Sequence, residues 1–311
     1  MRVGVDVSSD ERRASPDLRP PTLEAVRRGI WLGKQLSAMV TFQACLDISA
    51  HTEEMLREGA ADANRSVEAA ALEVVQGPVK QANVEGVQAR GLVAIGTPWE
   101  SITRQVLRDH HDLLLVGTRR RGAASRLFFV STSGKLIRHC PCPVWVTKPD
   151  PKFDDINMLV ACDLGPANDH ILHMAVGGGR LLDAKLHLLH VIEWGADQGL
   201  WHKGVSQDAV VDYRAKAREA AEQKLRQSLA HTDFRTITSG VQLHIGEGDA
   251  DAVILEAIQK HGIDLLVMGT KARHGLPGLL FGNTAERLLS QVECSVFVVK
   301  PENFVCPITI D

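Results

Sequence analysis

The sequence predicts two tandem α/β domains, each an open, twisted, five-stranded parallel sheet flanked by helices, and three observations carry that prediction. The first is length: 311 residues is about two domains at roughly 150 residues each. The second is an internal repeat. Asp112 opens DLLLVGTRRRG and Asp264 opens DLLVMGTKARHG, with Gly117 and Gly269 separated by 152 positions. The same offset holds for Cys142/Cys294, Val144/Val296, Trp145/Phe297, Val146/Val298, Lys148/Lys300 and Pro149/Pro301, and upstream for Gly96/Gly248 and Ile102/Ile254. The third is alternation. Short apolar runs alternate with segments of helical spacing, so each strand-to-strand crossover carries a helix and the strands pair in parallel.

The elements follow in order for the second copy. Met158 to Cys162 is a short apolar run, a buried strand. His170 to Leu182 carries apolar residues at helical spacing, and Lys185 to Ile192 is strand-like. Asp208 to Leu229, rich in Ala, Glu, Lys, Arg and Gln, reads as a long helix. Val241 to Ile245 is a strand, and Asp249 to Gln259 a helix opened by an aspartate suited to capping. Leu265 to Met268 is a strand, Thr284 to Val292 a helix and Ser295 to Val299 the last strand. The first copy has the same plan, with the insert RRASPDLRPP after its first strand read as a surface loop. PDPKFDD, Pro149 to Asp155, has the proline and charge content of a boundary. The domains are accordingly 1–150 and 151–311. The two final strands, Val144 to Thr147 and Ser295 to Val299, are apolar, and their pairing within one chain, as a pseudo-dimer, would leave neither as a bare edge.

Composition excludes several classes. Hydrophobic residues are 44% and charged residues 23%, as in an ordinary globular protein. A net charge of -3 argues against a strongly basic nucleic-acid binder. Residues 1–150 carry +3 and residues 151–311 carry -6, so the copies have diverged. The longest apolar runs, such as Leu113 to Val116, fall far short of the about 20 residues of a membrane helix. The start MRVGVDVSSDERR has no long apolar core, so a cytoplasmic location is expected. The cysteines 45, 140, 142, 162, 294 and 306 contain no CxxC, and Cys140-Pro-Cys142 has the wrong spacing for a zinc knuckle. They read as reduced, mostly buried thiols. The 13 histidines, His110-His111 among them, form no HxxxH or HExxH pattern, so no metal site is expected.

In an open parallel sheet, ligands sit outside the carboxyl ends of the strands. Three features of each copy fall there: an aspartate after strand one (Asp6, Asp163), a glycine after strand three (Gly96, Gly248) and a glycine loop after strand four, from Gly117 or Gly269. Such a loop lets backbone approach a phosphate, and the following helix offers free N–H groups and a positive dipole end. The aspartate can accept hydrogen bonds from a base or ribose.

These residues resemble the universal stress proteins, most closely their tandem-domain E-type members. VGVDVS containing Asp6, LVACDL containing Asp163, GTPWESI from Gly96 to Ile102, LIRHCPCPVWVTKP, FGNTAERLLSQVECSVFVVKP and the tail PENFVCPITI carry the resemblance, which covers nearly the whole chain. It implies the adenine-nucleotide α-hydrolase-like fold and a nucleotide loop of pattern G-x2-G-x9-G-[ST]. In the first copy that pattern meets Gly117, then Arg120, then Val130-Ser131, so two of three glycines are gone. In the second it meets Gly269, Ala272, Gly282 and Asn283-Thr284, where alanine adds only a methyl and asparagine can bond an oxygen. The resemblance therefore implies ATP or AMP, with Mg²⁺, in the second domain. Ala161, Asp163 and the backbone near Val191 would face base and ribose, and Gly269 through Thr284 the phosphates.

Two further features are weighed. Arg119, Arg120 and Arg121, with Arg126 nearby, are either a solvated loop or an anion site built from side-chain charge. EWGADQGLWHKGVSQ, Glu193 to Gln207, holds Trp194 and Trp201 and is either a loop packed on the core or a lid over an apolar cavity. No local catalytic triad is present. The leading function is a cytoplasmic stress-response sensor or regulator that binds adenine nucleotide in its second domain, beside a degenerate first. The rivals are a nucleotide-independent scaffold or carrier of an apolar, lipid-like ligand, and a weak ATPase using Asp163. No nucleic acid and no membrane span are expected, and a homodimer of the whole chain is an open alternative.

Overall fold

The computed structural model describes residues 2–6, 20–46, 61–117, 131–148, 155–194, 206–270 and 283–310. They divide into two compact units, Met1–Asp150 with Phe304–Asp311, and Pro151–Asn303. The carboxy-terminal tail thus groups with the first unit, where the Cys306 thiol donates to the His139 carbonyl at 3.2 Å.

The first unit contains β1 (Arg2–Asp6), α1 (Pro20–Leu36), β2 (Met39–Leu46), α2 (Ala61–Val84), β3 (Ala89–Ile95), α3 (Pro98–Asp109), β4 (Leu113–Gly117), α4 (Thr132–His139) and β5 (Val144–Thr147). Its strands run in the order β3-β2-β1-β4-β5, with parallel pairing throughout. The two prolines that end the insert, Pro20 and Pro21, open α1 rather than lie in a loop. Proline suits that place because its fixed φ is helical and its missing N–H would be unpaired there anyway. The rest of the insert, residues 12–19, lies outside the described residues. α1 lies close to the sheet: a Cβ on Gly33 would fall 2.6 Å from a Val87 methyl and 2.7 Å from one of Val40. Phe42, Leu114, Leu115, Leu136 and Ile137 form the centre of this core.

The second unit contains β6 (Asn157–Ala161), α5 (Asn168–Leu181), β7 (Lys185–Ile192), α6 (Gln207–Ala230), a 3₁₀ turn (Phe234–Thr236), β8 (Val241–Glu247), α7 (Ala250–His261), β9 (Leu265–Gly269), α8 (Asn283–Gln291) and β10 (Ser295–Val299). Its strand order, β8-β7-β6-β9-β10, is that of the first unit, again all parallel. Met158, Leu159, Leu172, Leu186 and Leu188 are fully buried. Gly179 brings α5 onto the sheet, since a Cβ there would meet Leu186 at 2.5 Å. α6 buries only Val210, Leu225 and Leu229. Its exposed face is laced by the i,i+4 pairs Asp212–Lys216 and Glu222–Arg226, each 2.7 Å.

Asp249 occupies the N-cap position of α7, yet its side chain makes no capping bond. Glu193, just past β7, supplies it instead by accepting the Ala250 N–H at 3.3 Å. A carboxylate at a helix start is stabilising whichever residue contributes it, so a tertiary partner replaces the local cap.

Candidate functional site

The strand order creates the site. From β6 the chain moves outward through β7 to β8, then crosses back and places β9 on the other side of β6. The crevice between the carboxyl ends of β6 and β9 is a topological switch point, where open α/β sheets bind ligands. Parallel register from Met158↔Leu265 to Val160↔Val267 brings Ala161 on one strand and Gly269 on the other to the same edge.

Asp163 follows β6. Its Oδ1 accepts the Gly165 N–H at 2.8 Å, fixing the turn into α5, and its carboxylate is half-buried. Beside it Cys162 is buried, and burial first, then the Asp163 charge, pushes its thiol pKa well up, so it is neutral and unreactive. The Cys162 carbonyl is held by the His190 ring, Nδ1 at 2.7 Å. Val191, half-buried near the end of β7, completes the wall on this side.

Gly248 follows β8 with φ of 120°, and Gly96 follows β3 with φ of 117°. A side chain would be strained at either place. Each N–H donates to the neighbouring strand, Gly248 to Ile192 at 3.0 Å and Gly96 to Leu46 at 2.9 Å. The two copies thus keep one turn geometry, the physical basis for their shared glycine.

Gly269 ends β9 against α5: a Cβ there would lie 2.8 Å from the Ile171 Cδ1. The next residue, Thr270, is 2% exposed, and its hydroxyl has no hydrogen-bond partner among the described residues. Asn168, the first residue of α5, is also 2% exposed, and among the described residues neither its amide oxygen nor its side-chain nitrogen has a partner. Burying an unpaired polar group costs about 1–3 kcal/mol, and such groups in native structures call for an explanation. Sequence reasoning did not find these two residues, because an Asn at a helix start and a Thr after a strand ordinarily satisfy themselves locally.

Ala272 and Gly282 lie outside the described residues. Asn283 and Thr284 open α8, whose first-turn backbone N–H groups and positive dipole end are those of an anion-binding terminus. In the first unit, Arg119, Arg120, Arg121 and Arg126 also lie outside the described residues. Ser131, at the end of the lost loop pattern, N-caps α4 by accepting the Gly134 N–H at 3.3 Å.

Trp194 is tied down by polar bonds. Its Nε1–H donates to Glu247 Oε2 at 3.2 Å, the Arg214 guanidinium lies 5.0 Å from its ring, and Tyr213 meets it edge-on at 6.0 Å. Glu247 also pairs with Arg218 at 3.2 Å, so this indole joins the end of β8 to α6. Trp201 lies outside the described residues.

No helix among the described residues is long and apolar enough to cross a membrane. The chain matches the model of the universal stress protein family twice, over residues 17–148 and 157–300. It is similar to universal stress protein E of Photorhabdus laumondii, 26% identical over 223 residues and 68% of each chain. It is similar to universal stress protein E of Escherichia coli K12, 25% identical over 229 residues, covering 69% of this chain and 68% of that one. Among solved structures, a Pseudomonas aeruginosa protein ascribed to the same family superposes with a TM-score of 0.66 at 21% identity, covering 97% of this chain and 94% of that one. A universal stress protein of Archaeoglobus fulgidus does so with 0.61 at 18%, covering 96% and 98%. At those identities the structures speak for the fold. The paired matches, the repeated topology and the shared glycine turns lead to one conclusion: the chain belongs to the universal stress protein family, in its tandem form.

Proposed function

We propose that the second unit binds an adenine nucleotide, ATP or AMP, at the crevice between β6 and β9, and that the chain acts as a nucleotide-responsive stress protein whose first unit has lost that role. The observation that supports this reading is a pair of buried polar side chains, Asn168 after β6 and Thr270 after β9, which have no hydrogen-bond partner among the described residues. A nucleotide offers the donors and acceptors that would satisfy them. By the family resemblance, Ala161, Asp163 and Val191 would face base and ribose, and Gly269, Ala272, Gly282, Asn283 and Thr284 would face the phosphates. Asp163 is the carboxylate suited to a Mg²⁺ that accompanies the phosphates, since hard cations take oxygen ligands. In the first unit Arg120 and Val130 replace the glycines that would let backbone reach a phosphate. A cytoplasmic location fits this role.

Thermal unfolding with and without millimolar ATP–Mg²⁺ tests the reading. Ligand at about 100 times its dissociation constant adds about 2.7 kcal/mol to the state that binds it. For a unit of this size that is on the order of 5–10 °C. A rise in the transition of the second unit alone supports the proposal. No rise, in protein shown by mass spectrometry to carry no nucleotide, favours the scaffold or apolar-carrier reading.

A further inference from the structure

At the other end of the second sheet three histidines converge. His187 is near the start of β7. Pairing of His187 with Gln242 and of Leu189 with His244 puts His244 two positions further along β8, on the same face. α7 packs on that face and runs back against the strand direction, so its last residue, His261, arrives over the amino ends of the strands. One ring nitrogen from each residue lies within 4.8 Å of the others. His187 Nδ1 and His244 Nε2 share a hydrogen bond of 3.1 Å, which a bound metal would replace with release of its proton, and the ring centroids are separated by 5.4, 4.8 and 4.7 Å. No spacing along the chain announces the group, because its members come from three separate elements.

His187 is 2% exposed, and its Nε2 has no hydrogen-bond partner among the described residues. Burial, then His261, His244 and Lys185, hold the His187 pKa down at about 4. Burial, then His261 and Lys260, lower that of His244. At neutral pH both rings are therefore uncharged, the form that offers a lone pair to a metal. The α7 carboxyl end adds its negative dipole end, which favours a cation. Lys185 and Lys260 oppose one, so a weakly held ion would not stay.

We propose that His187, His244 and His261 form a binding site for an imidazole-preferring divalent transition metal, of which Zn²⁺ is the representative, separate from the nucleotide crevice. Donors on a tetrahedral zinc lie about 3.3 Å apart, given Zn–N bonds of about 2.0–2.1 Å. The His187–His244 pair is already close to that spacing at 3.1 Å, and all three nitrogens lie within 4.8 Å of one another. Three nitrogens leave a fourth position to water. The group contains no carboxylate, which argues against Mg²⁺ or Ca²⁺, because those ions prefer oxygen ligands.

The test uses the full chain, stripped with a chelator and titrated with Co²⁺ in the absence of nucleotide. The expected result is one Co²⁺ per chain with the visible bands of tetrahedral coordination, displaced by Zn²⁺. His261→Gln at the helix end and His244→Gln each weaken binding about tenfold or more, whereas His173→Gln, an exposed histidine on α5, leaves it unchanged. Absence of Co²⁺ and Zn²⁺ binding, or binding that survives both of the first two substitutions, overturns the proposal.

Discussion

Thr270→Val separates stability from binding at the crevice. The hydroxyl is 2% exposed and unpartnered, and valine keeps nearly the same shape without it. Removing an unsatisfied buried hydroxyl relieves about 1–3 kcal/mol. In a unit of roughly 150 residues each kcal/mol moves the midpoint by about 2–4 °C. The transition of the second unit in ligand-free protein should therefore rise by about 2–12 °C. The ATP-induced shift should shrink at the same time, because a hydrogen bond to ligand contributes about 0.5–1.5 kcal/mol. Differential scanning calorimetry on wild type and variant, each with and without ATP–Mg²⁺, reads both quantities. A fall in the ligand-free midpoint would show that the hydroxyl is satisfied in the native state. An unchanged ATP shift would remove Thr270 from the nucleotide site. Either result refutes the reasoning.

The remaining predictions concern the loops and helix contacts. Gly282→Val should abolish the ATP-induced shift, whereas Arg120→Ala in the first unit should leave it intact; equal effects of the two in calorimetry would contradict the division of labour between units. Asp251 forms a bidentate pair with Arg287, at 2.8 and 3.0 Å, and that bond holds its carboxyl below the usual range. The sign follows: the stabilisation is present above the unfolded carboxyl pKa of about 3.9 and is lost as pH falls through the lower folded value. Because the arginine is half-exposed, Asp251→Asn should cost only about 0.5–1 kcal/mol at pH 7. Urea unfolding at pH 7 and at pH 3 should show the difference between variant and wild type narrowing at the lower pH.

Much of the fold was legible in the residues. β7 and β10 have the bounds read from Lys185–Ile192 and Ser295–Val299, because apolar runs flanked by polar turns leave little freedom of register. The long polar helix extends one residue beyond its expected limits at each end, Gln207–Ala230 against Asp208–Leu229. What escaped was tertiary. Asp249 sits where a cap is expected, but Glu193 makes the bond. Pro20 and Pro21 read as loop and open a helix. Asn168 and Thr270 look like ordinary surface polar residues until neighbouring elements bury them. His187, His244 and His261 look scattered until β7, β8 and α7 bring them together. Pattern along the chain reports which face is buried; it does not report which polar groups that burial leaves unpaired.

The proposed function requires a single live nucleotide site in this tandem chain, in its second unit. Equilibrium dialysis of the full chain against labelled ATP measures it directly. The expected stoichiometry approaches one nucleotide per chain, lost in Gly282→Val and retained in Arg120→Ala. Two nucleotides per chain, none, or one that persists in Gly282→Val would contradict it.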